Sequence, residues 1–126
     1  MASDSSGMEL VETYGAAWGE TDEDARRALL ERVWADDGVY CDPTARVEGR
    51  EAFVAHIGEF QALMPGHHLE LTSGIDVHHG WIRFGWRLVA PDGALVLDAM
   101  DVGTLDADGR LTRIVGFFGP LPPLAS

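Results

Sequence analysis

Hydrophobic periodicity changes character at Pro65-Gly66, and this change restricts the fold more than any single motif. Before it, apolar residues recur mostly at helical spacing; after it, they alternate. Val11, Tyr14, Gly15 and Trp18 share one face of a first helix expected over residues 8–19. Leu29, Leu30, Val33 and Trp34 form the stripe of a second. Thr21 and Asp24 resemble its capping box, and Asp36-Asp37-Gly38 is its expected stop. Phe53, His56, Ile57, Phe60 and Met64 align on a third helix. One short strand, residues 39–41, interrupts the helical half and ends at Asp42-Pro43. The proline pushes Asp42 into an extended conformation, so its carboxylate sits at a strand end between two helices.

Beyond Gly66 the chain reads as sheet. Residues 68–77 carry Leu69, Leu71, Ile75 and Val77 on one face. Residues 81–90 place Ile82, Phe84, Trp86 and Leu88 on one face and Arg83 and Arg87 on the other. Two further strands, 94–105 and 110–119, follow turn signals at Pro91-Asp92-Gly93 and Asp108-Gly109. Helices followed by a meander of about four strands imply an α+β fold. The expected form is a cone-shaped barrel of curved antiparallel sheet, packed against three N-terminal helices around a conical cavity. The chain is expected to be one domain over residues 1–126, with 1–7 a disordered leader and 120–126 a Pro-rich tail.

Charge narrows the partners. The formal net charge is −12, and all nine basic residues are arginine. That balance argues against nucleic acid and anionic membranes, and the absence of lysine excludes a lysine Schiff base or a P-loop lysine. A lone Cys41 cannot form an internal disulfide and fits a reducing, cytoplasmic setting. No secretory signal or membrane span is read. His67-His68 and His78-His79 are adjacent pairs whose side chains point apart on a strand, so no metal and no cofactor are expected.

The sequence resembles the nuclear-transport-factor-2-like superfamily, in its SnoaL-like and ketosteroid-isomerase-like branch. The resemblance rests on residues 34–43 (WADDGVYCDP), Gly49-Arg50-Glu51-Ala52, Met100-Asp101-Val102-Gly103, Asp108-Gly109-Arg110 and Gly116-Phe117-Phe118-Gly119. Matched to ketosteroid isomerases, Tyr14-Gly15-Ala16-Ala17 holds the tyrosine position and Asp42-Pro43 the general base. Asp101 holds the second acid. The resemblance therefore implies an Asp42 base with Tyr14 and Asp101 as oxyanion donors, a kit for which ketosteroid isomerase is itself the standard example. It also implies a small hydrophobic carbonyl substrate and a homodimer formed through the outer sheet face. Moving a double bond beside a carbonyl needs a carboxylate to shuttle the proton and donors for the developing oxyanion. Trp18, His56, Phe60, Ile82, Phe84, Trp86, Ile114 and Phe118 are the expected pocket contacts.

Plainer readings stand beside these. An Asp before Pro is often a turn former. A tyrosine on a core stripe is often only packed, and a histidine on an apolar face is more often a core residue than a catalyst. Two other classes follow from them: a non-catalytic carrier of an apolar ligand, and a dimerisation module whose pocket is plugged by Trp18 and Trp86.

Overall fold

The computed structural model describes residues 2–125, with side chains from Gly7 onward. Its elements are α1 (Ala2–Gly19), α2 (Glu23–Val33), β1 (Trp34–Asp42), β2 (Ala45–Glu48), α3 (Arg50–Leu63), β3 (His68–Leu71), β4 (Asp76–His78), β5 (Trp81–Val89), β6 (Leu95–Leu105) and β7 (Leu111–Phe118). Three helices pack on a curved mixed sheet, the α+β cone expected from the sequence, although the sheet does not close into a barrel. Its strand order is β2-β1-β7-β6-β5-β3, with β4 also paired to β5. β1 runs parallel to β7, so the sheet is not purely antiparallel. Residues separated by the whole meander are thereby brought side by side.

Several boundaries differ from the sequence reading. α1 begins at Ala2, so residues 2–7, expected as a leader, are its first turns; Met1 lies outside the described residues. Residues 120–125 are exposed and carry no regular structure. Asp22, not Thr21, caps α2, accepting the Ala25 N–H at 2.9 Å. α2 ends at Val33, ahead of Asp36-Asp37-Gly38, and passes into β1 without a loop. Trp34 is both the last cap, donating its N–H to Leu30 O, and the first strand residue. The two aspartates sit where the β1–β7 register shifts, between Trp34 and Val39, which marks a bulge. Gly38 lies against the Trp34 indole: a Cβ there would stand 2.5 Å from Nε1. β2 went unread because four residues after a Pro turn carry too little pattern.

The core fills one end of the cone. Trp34, Phe53, Leu30, Ile57, Ile82, Leu111, Ile114 and Val54 are its largest fully buried side chains. A buried arginine fastens the helices over it. Arg26 donates to Glu20 O at 3.0 Å, Val54 O at 3.0 Å, Thr21 O at 3.2 Å and Gln61 Oε1 at 2.9 Å. Gln61 in turn donates to Trp18 O and Glu20 O, both at 2.9 Å. The carbonyls ending α1 are thus satisfied by side chains of α2 and α3, and the relative positions of Trp18 and α3 are fixed. On the outer sheet face, Arg83 pairs with Asp76 and Arg87 with Glu70, while Trp81, Met100 and Phe117 are exposed. No described helix is long and apolar enough to cross a membrane.

Candidate active site

A cavity of about 980 Å³ opens at the other end, between α1, α3 and the sheet. Tyr14, Asp42 and Asp101 all line it, and so do Trp18, His56, Phe60, Phe84, Trp86 and Phe118. Ile82 and Ile114 do not. They are 1% and 0% exposed and belong to the packed core. Both face Gly103, one from β5 and one from β7, where the absent side chain lets the strands' inner faces meet. Alternation had assigned them to the correct face but could not say how far along the cone they stood. Trp18 and Trp86 form wall and do not plug the space between them.

Asp42 is held by its turn. Its Oδ1 accepts from Thr44 N at 2.7 Å, Thr44 Oγ1 at 2.7 Å and Ala45 N at 3.1 Å. Its Oδ2 accepts from the Tyr40 hydroxyl at 2.6 Å. Partial burial pushes its pKa up, but the bonds from Tyr40 and Thr44 and the nearby His56 outweigh this, so the net shift is downward. Asp42 is ionised at neutral pH.

Asp101 has the opposite surroundings. It is 4% exposed, and its Oδ1 has no hydrogen-bond partner. Burial raises its pKa to about 7, with the Asp42 charge adding to the rise and the Trp86 indole opposing it. Trp86 Nε1 is near enough to exert that effect, yet it completes no hydrogen bond. Gly116 lies between the two acids: a Cβ on it would be 2.9 Å from Asp101 Oδ1 and 3.5 Å from Asp42 Cβ. A glycine on β7 therefore lets a carboxyl of β6 and a carboxyl of β1 approach one another. Tyr14 completes the group from α1. Its hydroxyl is buried without a partner, and burial first, then Asp101, raises its pKa well above the ordinary phenol value.

A family model for the SnoaL-like domain matches residues 11–114. The chain belongs to the SnoaL-like family. A family protein from Agrobacterium tumefaciens, provisionally assigned as an isomerase, is 35% identical; the match covers 92% of this chain and 99% of that one, with a TM-score of 0.87. A protein from Sinorhizobium meliloti, provisionally assigned as a polyketide cyclase, shares the fold at 18% identity and a TM-score of 0.68, over 86% of this chain and 93% of that one. A nuclear-transport-factor-2-like protein of unknown function from Cytophaga hutchinsonii does so at 14% identity and 0.66, over 90% of each. No curated protein matches the sequence.

Within this SnoaL-like site, sequence reasoning missed one direct partner. Tyr40 stands two residues before Asp42 on one strand, which puts both side chains on the same face. The Tyr-x-Asp spacing in residues 40–42 was the available signal. Burial, Tyr14 and the Asp42 bond all raise the Tyr40 pKa, so it stays a donor. The mouth residues Glu12, Glu59, Leu63 and Val96, which line the cavity while exposed, carried no such signal.

Proposed function

We propose that this SnoaL-like protein is a cofactor-free acid–base catalyst of the isomerase or cyclase type, acting on a small hydrophobic carbonyl compound. One observation carries the reading: two carboxyls around Gly116 in one largely apolar cavity have pKa values pushed in opposite directions. Such a pair supplies a base and an acid at the same pH. Asp42, ionised, takes a proton from the carbon beside the carbonyl through Oδ2, which accepts only from Tyr40. The C–H electron pair moves into the new C=C bond and the carbonyl π pair onto oxygen. Asp101, still protonated, and Tyr14 donate to that oxygen. Asp42 then returns the proton to another carbon, or the enolate carbon attacks a second carbonyl.

A second reading is a non-catalytic carrier. It is favoured by the three donors on Asp42 Oδ1, which are what a turn-forming aspartate requires. Ultraviolet absorbance of a β,γ-unsaturated ketosteroid, converted to its conjugated enone, separates the two for steroid substrates. The catalyst reading expects turnover by the wild type, a loss of about 10²–10⁴-fold in Asp42→Asn, and a decline as pH rises through about 7, where Asp101 loses its proton. Equal rates in wild type and variant remove Asp42 as the base. No turnover by either protein removes steroid isomerisation.

A further inference from the structure

The charges around the cavity are one-sided. Five of its lining residues are acids: Glu12, Asp42, Glu59, Glu70 and Asp101. None is an arginine, and the chain contains no lysine. Glu70 borders the cavity from β3, but its carboxylate is on the outer sheet face, paired with Arg87 at 2.7 Å and His68 at 2.9 Å, so it adds no charge to the cavity. Glu12 and Glu59 stand at the mouth on α1 and α3, and no ion pair among the described residues includes either. Asp42 is held only by uncharged donors. Several arginines are engaged elsewhere: Arg26 on backbone carbonyls, Arg27 on Glu23, Asp24 and Glu51, Arg83 on Asp76. A negatively charged ligand entering this cavity meets like charge at the mouth and again in the wall, under reduced dielectric, with histidine as the one basic residue type.

The wall also carries polar atoms that call for a partner. Tyr14 is 3% exposed and Asp101 4% exposed; the Tyr14 hydroxyl and Asp101 Oδ1 make no hydrogen bond. Buried polar groups are almost always paired, so these two atoms, with Trp86 Nε1 as the third unpaired polar atom of the same wall, point to a polar group on the ligand. A phenol hydroxyl donates to a carbonyl, ether or hydroxyl oxygen as well as to an anion. The surrounding carboxylates leave the uncharged oxygen as the better match.

We infer that the cavity selects against negative charge: its ligand is an apolar molecule whose polar group is an uncharged oxygen function, and carboxylates and phosphate-bearing carrier thioesters are excluded. This rests on the proposed function only in taking the cavity as the ligand site. It also orders the chemistry, because any acidic precursor must lose or mask its charge, by decarboxylation for example, before it reaches this protein.

Equilibrium dialysis with two nearly isosteric probes, 2-acetylnaphthalene and 2-naphthoate, tests this at pH 6 and low salt. The ketone is expected to bind at least tenfold tighter. In the double variant Glu12→Gln, Glu59→Gln, naphthoate should gain several-fold while the ketone is unchanged, and added salt should act in the same direction. Naphthoate binding within threefold of the ketone overturns the inference, and so does a double variant that shifts both probes equally. If neither probe binds, the cavity is not an apolar ligand site and the inference falls with its premise. Selective ketone binding without Asp42-dependent turnover leaves the inference standing and overturns only the catalytic reading.

Discussion

At one end of the cone, Phe53, Ile82 and Ile114 are sealed at 1% exposure or less. At the other, Phe60, Trp86 and Phe118 border an open cavity. The members of each pair share an element: α3 carries both phenylalanines, β5 carries Ile82 and Trp86, and β7 carries Ile114 and Phe118. One helix face and two strand faces therefore serve first as packed core and then as cavity wall. The face a residue takes is set by local periodicity. Whether that face is filled depends on what the opposite elements bring to that level, and here the dividing level on β6 lies between Gly103, where the inner faces meet, and Asp101.

The largest effect should come from emptying the packed end. Phe53 touches Tyr14, Trp18, Trp34 and Tyr40 with ring centroids 4.5–6.2 Å away. Phe53→Ala should cost about 3–5 kcal/mol of unfolding free energy, as a buried aromatic deletion that leaves a cavity does. Phe60→Ala, at a wall that already faces space, should cost nearer about 1 kcal/mol and alter probe binding instead. Urea denaturation of the two variants measures the difference. Equal losses would mean that the open end is packed in solution.

The next effect concerns the carboxyl at the dividing level. Folded Asp101 holds its proton up to about pH 7, while the unfolded chain releases it near 3.8. Between those values the folded state binds more protons, so wild-type stability falls as pH rises through that window and is level above it. An amide in place of this carboxyl cannot ionise. Asp101→Asn should match wild type below about pH 4 and exceed it at pH 8 by as much as about 4 kcal/mol. Asp42 carries the opposite sign: its lowered pKa stabilises the fold above the unfolded value, and that stability is lost as pH falls through the folded one. Asp42→Asn should therefore be less stable than wild type at neutral pH. Unfolding curves at pH 4, 6 and 8 read both, and a flat difference for Asp101→Asn would mean that Asp101 is solvated.

These contrasts also explain what the sequence could and could not tell. The helical stripes and the strand alternation were legible because each depends on neighbours a few residues away. Asp42 was legible for the same reason, since Pro43 fixes its backbone. The pairing of β1 with β7 was not, because it joins Cys41 to Val115 across the whole meander. The meeting of Asp42 and Asp101 over Gly116 depends on that pairing, so the chain's own pattern could not place them together. The depth of Ile82 and Ile114 was hidden likewise: it is decided by Gly103 on a third strand. Tyr40 was within reach, because i and i+2 on a strand share a face whatever the tertiary structure.

The smallest effect should be a gain. Gly15 is the one residue on the α1 stripe with no side chain, and a Cβ there would meet nothing within 4 Å. At the packed end, a Cβ on Gly103 would run into Arg113 O and the Ile114 side chain. An alanine inside a helix is favoured over glycine by about 0.5–1 kcal/mol where no clash opposes it. Gly15→Ala should therefore stabilise the protein by that amount, visible as a higher denaturation midpoint, while placing a methyl group in the cavity lining. The same variant should weaken binding of bulky apolar probes and leave small ones unaffected. A loss of stability instead would mean that α1 packs more closely over the mouth than the open cavity allows, and the contrast between the two ends of the cone would no longer hold.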